Sequence, residues 1–259
     1  MNQRLNWNRN AQLAVVLLCA LTLKLYYSTA GVNHLRWILA PTTVLVELLN
    51  GAAFKFESHA GYTNSDRSFV IASSCAGVNF LITSFLMLSL RKLWRDRSQN
   101  LAWGFIPYAA LFAYLVTLIA NAVRISGALQ MQRMSMEISW LSPNQVHRFE
   151  GIFIYFGFLL LLFMVSEKMS SENASGLFRQ FSFPLLMYYA TMLGIPLANG
   201  AYRPGIVATD FWEHLLFVLL TPLLLILPIA TFRFYKHQRA SASIKLSATA
   251  RTIRRRPWG

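Results

Sequence analysis

Three side chains in this sequence have the chemistry for acyl transfer if the fold brings them together: Cys75, Arg124 and His147. A thiolate attacks a carbonyl, an imidazole takes the thiol proton and later protonates the leaving amine, and a fixed cation stabilises the tetrahedral oxyanion. Cys75 stands in Ser73-Ser74-Cys75-Ala76-Gly77-Val78-Asn79, where a polar segment gives way to a long apolar one. A thiol at a membrane–water boundary can ionise, and the first turn of a helix favours a thiolate. Cys19 lies inside an unbroken apolar stretch and serves as an internal comparison. Arginine suits the oxyanion role because it stays charged and presents a planar donor fork; such a contact is commonly worth roughly 3–4 kcal/mol of barrier. Each residue also has an ordinary reading: a small packing cysteine, an arginine snorkelling to headgroups, an interfacial histidine. His34, His59, His214 and His237 have no comparable partner set.

The elements that must position these residues are apolar helices. The chain is 55% hydrophobic and only 13% charged, with a mean hydropathy of +0.42. A soluble domain of this size would lack the polar surface it needs, and several windows approach the ~20 residues that cross hydrocarbon. Apolar stretches lie near 11–30, 32–51, 69–90, 101–124, 149–166, 181–199 and 211–234. Arg36, Pro41, Thr42, Thr43 and Glu47 interrupt the second, which either spans or lies in the interface. The expected fold is all-α: one integral membrane domain over 1–259, a polytopic helical bundle of six or seven spans with a basic tail at 235–259. The first segment has no convincing cleavage site and reads as a retained span.

Lys and Arg near span ends set the sidedness. Arg91, Lys92, Arg95 and Arg97, and the tail from Arg233 to Arg256, belong in the cytoplasm. Alternation then puts 167–180 inside and 52–68, 125–148 and 200–210 outside. The amino terminus stays open, since Arg4 and Arg9 favour the inside while seven spans would put it outside. With this sidedness Cys75, Arg124 and His147 fall on one membrane face, at the outer ends of three different helices.

Other classes fit poorly. The net charge of +14 is concentrated largely in cytoplasmic stretches, where topology and attraction to anionic lipid account for it. No aromatic-interleaved basic domain accompanies it, so nucleic acid is not an expected partner. Two cysteines make no disulfide framework, no Cys/His spacing suggests a metal site, and no cofactor is expected.

Ser74-Cys75-Ala76-Gly77-Val78-Asn79-Phe80-Leu81 resembles the Cys-Ser-Gly signature of the exosortase and archaeosortase family, with Ala76 in place of serine. Asn121-Ala122-Val123-Arg124-Ile125 resembles its Asn-x-x-Arg segment. His147-Arg148-Phe149-Glu150-Gly151, with Phe153, resembles its His-x-x-x-Gly stretch. Pro41 to Gly51 and Gly61-Tyr62 look like the segment leading into the cysteine, so the similarity covers close to half the chain, a family-like core at about 41–166. Among subtypes the short chain looks most like exosortase K.

The resemblance implies a membrane cysteine protease or transpeptidase of the cell (inner) membrane. Its expected partners are precursor proteins with a carboxy-terminal sorting signal (short motif, transmembrane helix, basic cluster), cleaved at the outer face and passed to a surface or lipid-linked acceptor. It implies Cys75 as nucleophile, Arg124 as transition-state stabiliser and His147 as acid–base partner. Ser74 or Ser73 would supply any hydroxyl that Ala76 lacks. Gly77 reads as a close-packing position, while Asn79 and Asn121 read either as site-orienting amides or as interhelical hydrogen bonds. Glu150 could pair with Arg124 or Arg148. The alternative function is a small membrane transporter or lipid- or anion-binding protein built on Arg124 and His147.

Overall fold

In hydrocarbon a helix satisfies its own backbone and is free to turn apolar side chains outward, so bundle helices are held mainly by close packing and a few polar bonds. The computed structural model describes residues 2–95, 102–133, 143–168, 177–194 and 215–232, with Trp212 and Tyr235. The basic tail beyond Tyr235, residues 200–210, Arg97, His214 and His237 lie outside the described residues. The chain is mostly helical. Helices α1 (Asn2–Thr29) and α2 (Arg36–Asn50) lead into a small sheet, followed by α3 (Val78–Arg95), α4 (Phe105–Arg133), α5 (Pro143–Lys168), α6 (Leu177–Tyr189) with a π-helical turn (Ala190–Gly194), and α7 (Leu215–Phe232).

Five described stretches are long and apolar enough to cross a bilayer: Trp7–Thr29, Ser73–Arg95, Phe105–Arg133, Gln145–Lys168 and Leu215–Phe232. Helix α2 has 15 residues, about 22 Å at 1.5 Å each, and falls short of the ~30 Å of hydrocarbon. It runs beside α4 in the same direction. The Tyr114 hydroxyl donates to the Trp37 carbonyl at 2.7 Å near its start, and the Asn50 amide donates to Ser126 Oγ at 2.7 Å near its end.

Helix α3 is the central post. Val78, Leu81, Ile82 and Phe85 pack into one apolar core with Val16, Leu39, Val46 and Ile125. Phe80 and Met87 face a second core with Ile152, Phe156, Leu159 and Tyr188. Leu17, Leu18, Leu21 and Leu25 on α1 stay exposed, as a lipid-facing side requires. The Lys24 ammonium, near the end of α1, donates to Asn79 Oδ1 at 2.9 Å, near the start of α3. These two helices are therefore antiparallel, and the amino terminus lies at the Arg91 end of the bundle.

Two expectations are corrected. The all-α reading holds for the bundle but not for 54–71, where a three-stranded antiparallel sheet takes the place of a plain loop and of the first residues of the 69–90 stretch: β1 (Phe54–Glu57), β2 (Gly61–Asn64) and β3 (Val70–Ile71), in that order. Phe54-Lys55-Phe56-Glu57 alternates at the period of a strand, and the Phe56 and Tyr62 rings meet at 5.1 Å. Gly61 has φ +127, and a Cβ there would fall on the Ile71 carbonyl, so only glycine fits. Ser68 closes the second turn by donating from its N–H and hydroxyl to Asp66, which holds the Asp66 carboxyl below its ordinary value. The second correction concerns 125–148. Helix α4 continues past Arg124 to Arg133, and α5 starts at Pro143, so His147 sits inside a helix instead of ahead of one. The extension has a partner, because Gln132 Nε2 donates to the Ser68 carbonyl at 3.0 Å and braces the sheet.

Reporters fused at Asn2 and after Arg95 are expected on the same side of the membrane, with one inserted between Glu57 and Gly61 on the other. Opposite sides for the first two, read by reporter activity in cells, would overturn the antiparallel α1–α3 pairing.

Candidate active site

The sheet delivers the chain to Cys75. After β3, residues Ser73–Ala76 make a single 3-10 turn, and Gly77 at φ +68 redirects the backbone into α3. Cys75 is thus half-buried in a tight turn just before α3, not in the helix's own first turn. Its carbonyl accepts a hydrogen bond from Asn121 Nδ2. Asn121 is fully buried, and its Oδ1 accepts from the Tyr155 hydroxyl at 2.8 Å. An amide clamped at both ends between three elements ties them together. Asn79 behaves differently, its carbonyl taken by Lys24 across the α1–α3 interface.

Arg124 does not snorkel. Its guanidinium turns between α4 and α5, with Nη1 donating to Tyr155 Oη at 3.3 Å and Nη2 2.8 Å from His147 Nε2. The same guanidinium lies 5.5 Å from the centre of the Tyr155 ring, whose other partner is Phe80, stacked at 5.0 Å. A Cβ at Gly151 would stand 3.2 Å from Arg124 Nε, so a small residue there admits the arginine. Glu150 Oε2 lies 3.6 Å from His147 Nδ1, a contact not weighed above, and the carboxyl is also within electrostatic range of Arg124.

The cleft between these groups has a volume of about 220 Å³ and opens beside Ser74, Gly77, Asn79, Arg124, His147 and Tyr155. Tyr27 of α1, Tyr188 of α6 and Val218 of α7 close its other walls. Cys75 itself is flanked by wall residues without forming the wall, and among the described residues its thiol makes no hydrogen bond to His147. It is within electrostatic range of Arg124, Tyr155 and Tyr27. The structure therefore joins Arg124 directly to His147, and joins both to Cys75 through Tyr155 and Asn121.

Tyr155 is the residue that sequence reasoning missed. A signal for it existed: His147, Gly151 and Tyr155 recur every four residues and so share one face of α5. Tyr27 and Lys24 had no such signal, since their part in the site depends on how α1 packs. No protein-family model matches the chain, and no curated protein or solved structure matches it.

Gly77→Ala is expected to destabilise the fold by about 1–2 kcal/mol, the usual cost of a left-handed backbone for an L-residue. Its new Cβ would also stand 3.2 Å from Asn121 Cγ and 3.3 Å from the Tyr155 hydroxyl. An unchanged thermal midpoint in detergent would show the turn to be plastic. A membrane-impermeant maleimide is expected to label Cys75 well ahead of Cys19, which is exposed only to the lipid side of α1. Equal labelling would show that water does not reach Cys75 from the cleft beside it.

Proposed function

We propose that this membrane protein is an exosortase-like cysteine transpeptidase that processes carboxy-terminal sorting signals. What carries the reading is the bond between Arg124 and His147 at a cleft lined by Ser74 and Gly77, which flank Cys75. Cys75 Sγ attacks the scissile carbonyl, an S–C bond forms, and the carbonyl π pair moves to oxygen, where Arg124 receives the charge. His147 takes the thiol proton. When the tetrahedral intermediate collapses the C–N bond breaks, His147 returns the proton to the leaving amine, and a thioester remains. An acceptor nucleophile from the surface or a lipid then attacks the thioester, its proton passing to the thiolate through His147, and the thiol is restored. In the resting arrangement the Arg124 fork occupies His147 Nε2. Substrate entry must draw the guanidinium toward the oxyanion and free that nitrogen for Cys75.

The proposed setting is a cell membrane with the cleft on the extracytoplasmic side, since the opposite end carries Arg91, Lys92 and Arg95. Six crossings fit best within the six or seven expected. Phe183 of α6 meets Trp94 at the basic end, and Thr191 meets Thr83 at 2.8 Å well up α3, so α6 and its π turn carry the chain back. A seventh would need α2 to cross. The rival reading, transport or binding of a lipid or anion, draws on Arg124 and His147, which share the cleft with Arg148.

The decisive assay is cleavage of a co-expressed precursor bearing a short motif, an apolar span and a basic cluster. Cys75→Ala and His147→Ala are each expected to be nearly inactive, with the double variant little worse, because members of one catalytic unit are not additive. Arg124→Lys is expected to lose about 10²-fold or more in kcat while still folding. Normal cleavage by a well-expressed His147→Ala or Arg124→Lys would sink that residue's role. A Cys75→Ala protein that keeps full activity in a transport or lipid-binding assay would favour the rival.

A further inference from the structure

Glu150 is the most conspicuous group that the reaction above leaves unused. Its side chain is only 6% exposed, and neither carboxyl oxygen has a hydrogen-bond partner among the described residues. Burying a carboxyl without donors is costly, so its surroundings have to be built for it. They are: a Cβ at Gly127 on α4 would fall on Glu150 Oε1, so that glycine makes the room. The charged groups facing it are His147, three residues earlier on α5, and Arg124 on α4.

We infer that Glu150 is a positioning residue that sets the tautomer of His147. A guanidinium has donors and no acceptor, so the ring nitrogen it contacts must carry a lone pair. Nε2 is 2.8 Å from Arg124 Nη2 and is therefore the unprotonated nitrogen. The single ring proton then resides on Nδ1, which is 3.6 Å from Glu150 Oε2, too long for a formed hydrogen bond in the resting site but a distance of the kind that tightens in a substrate complex. The carboxyl favours Nδ1–H, and Arg124 favours a bare Nε2. The two act on opposite sides of one ring and both keep Nε2 unprotonated, the form that a base for the Cys75 thiol needs once Arg124 moves off it.

This inference rests on the proposed function for its catalytic half, but its structural half can be read without activity. In the full-length protein in detergent with ¹⁵N-labelled histidine, and with His147→Ala to assign the signal, His147 is expected to show a protonated Nδ1 and a bare Nε2. An Nε2–H tautomer in the wild type would overturn the proposal whether or not any variant folds. Glu150→Gln is expected to shift His147 toward Nε2–H and to lower kcat for precursor cleavage by at least about tenfold with little change in KM, as loss of a tautomer-setting carboxylate does. An unchanged tautomer in folded Glu150→Gln, or an unchanged kcat, would also overturn it. Absence of cleavage by the wild type would instead count against the proposed function, and the nitrogen signals would still decide how His147 is held.

Discussion

An amide side chain in the interior of a membrane bundle has no water to fall back on, and Asn121 resolves this by bonding at both ends. Its nitrogen holds the Cys75 carbonyl and its oxygen holds the Tyr155 hydroxyl. Removing either partner would leave a buried polar group unpaired at a cost of about 1–3 kcal/mol, a large fraction of typical net stability. The 3-10 turn before α3 and the middles of α4 and α5 are thereby tied to one point. Everything else at the cleft is arranged around that tie.

Tyr155 extends it. Its ring stacks on Phe80 of α3 and carries the Arg124 guanidinium over its face, so one aromatic side chain aligns three helices. Glycines supply the clearance: Gly77 against Asn121 and Tyr155, Gly151 against Arg124, Gly127 against Glu150. Small residues at helix contacts are the usual means of close approach in membranes, and here they admit polar groups as well. The sheet contributes by fixing where the chain enters the Cys75 turn. It is itself propped by α4 through Gln132.

The same arrangement sets the conditions for change. Arg124, His147 and Glu150 form a short row of polar groups in which each contact depends on its neighbour's protonation or orientation. In a medium of low dielectric such rows respond strongly to one new charge. A developing oxyanion would be such a charge, and the proposed release of His147 Nε2 by Arg124 needs no larger motion than a side-chain rotation.

Much of this protein was legible in the sequence because membrane burial leaves a one-dimensional signature. Long apolar runs marked the helices, and polar residues at their ends marked Cys75, Arg124 and His147 as sharing one face. Asn121 announced itself as an amide with no business in hydrocarbon unless bonded. What lay beyond the sequence was pairing, since apolar surfaces do not name their neighbours. Only the tertiary structure decided that α1 runs antiparallel to α3, which sets the side of the amino terminus. It also decided that the 15-residue α2 lies along α4, that α4 overruns its apolar stretch to brace a sheet, and that Glu150 faces His147. The sheet strands are two to four residues long, too short for their alternation to stand out. The partners of Asn121 and Arg124 come from segments some 23 to 46 residues away in the chain, and contacts at that separation are made by packing, not by local preference.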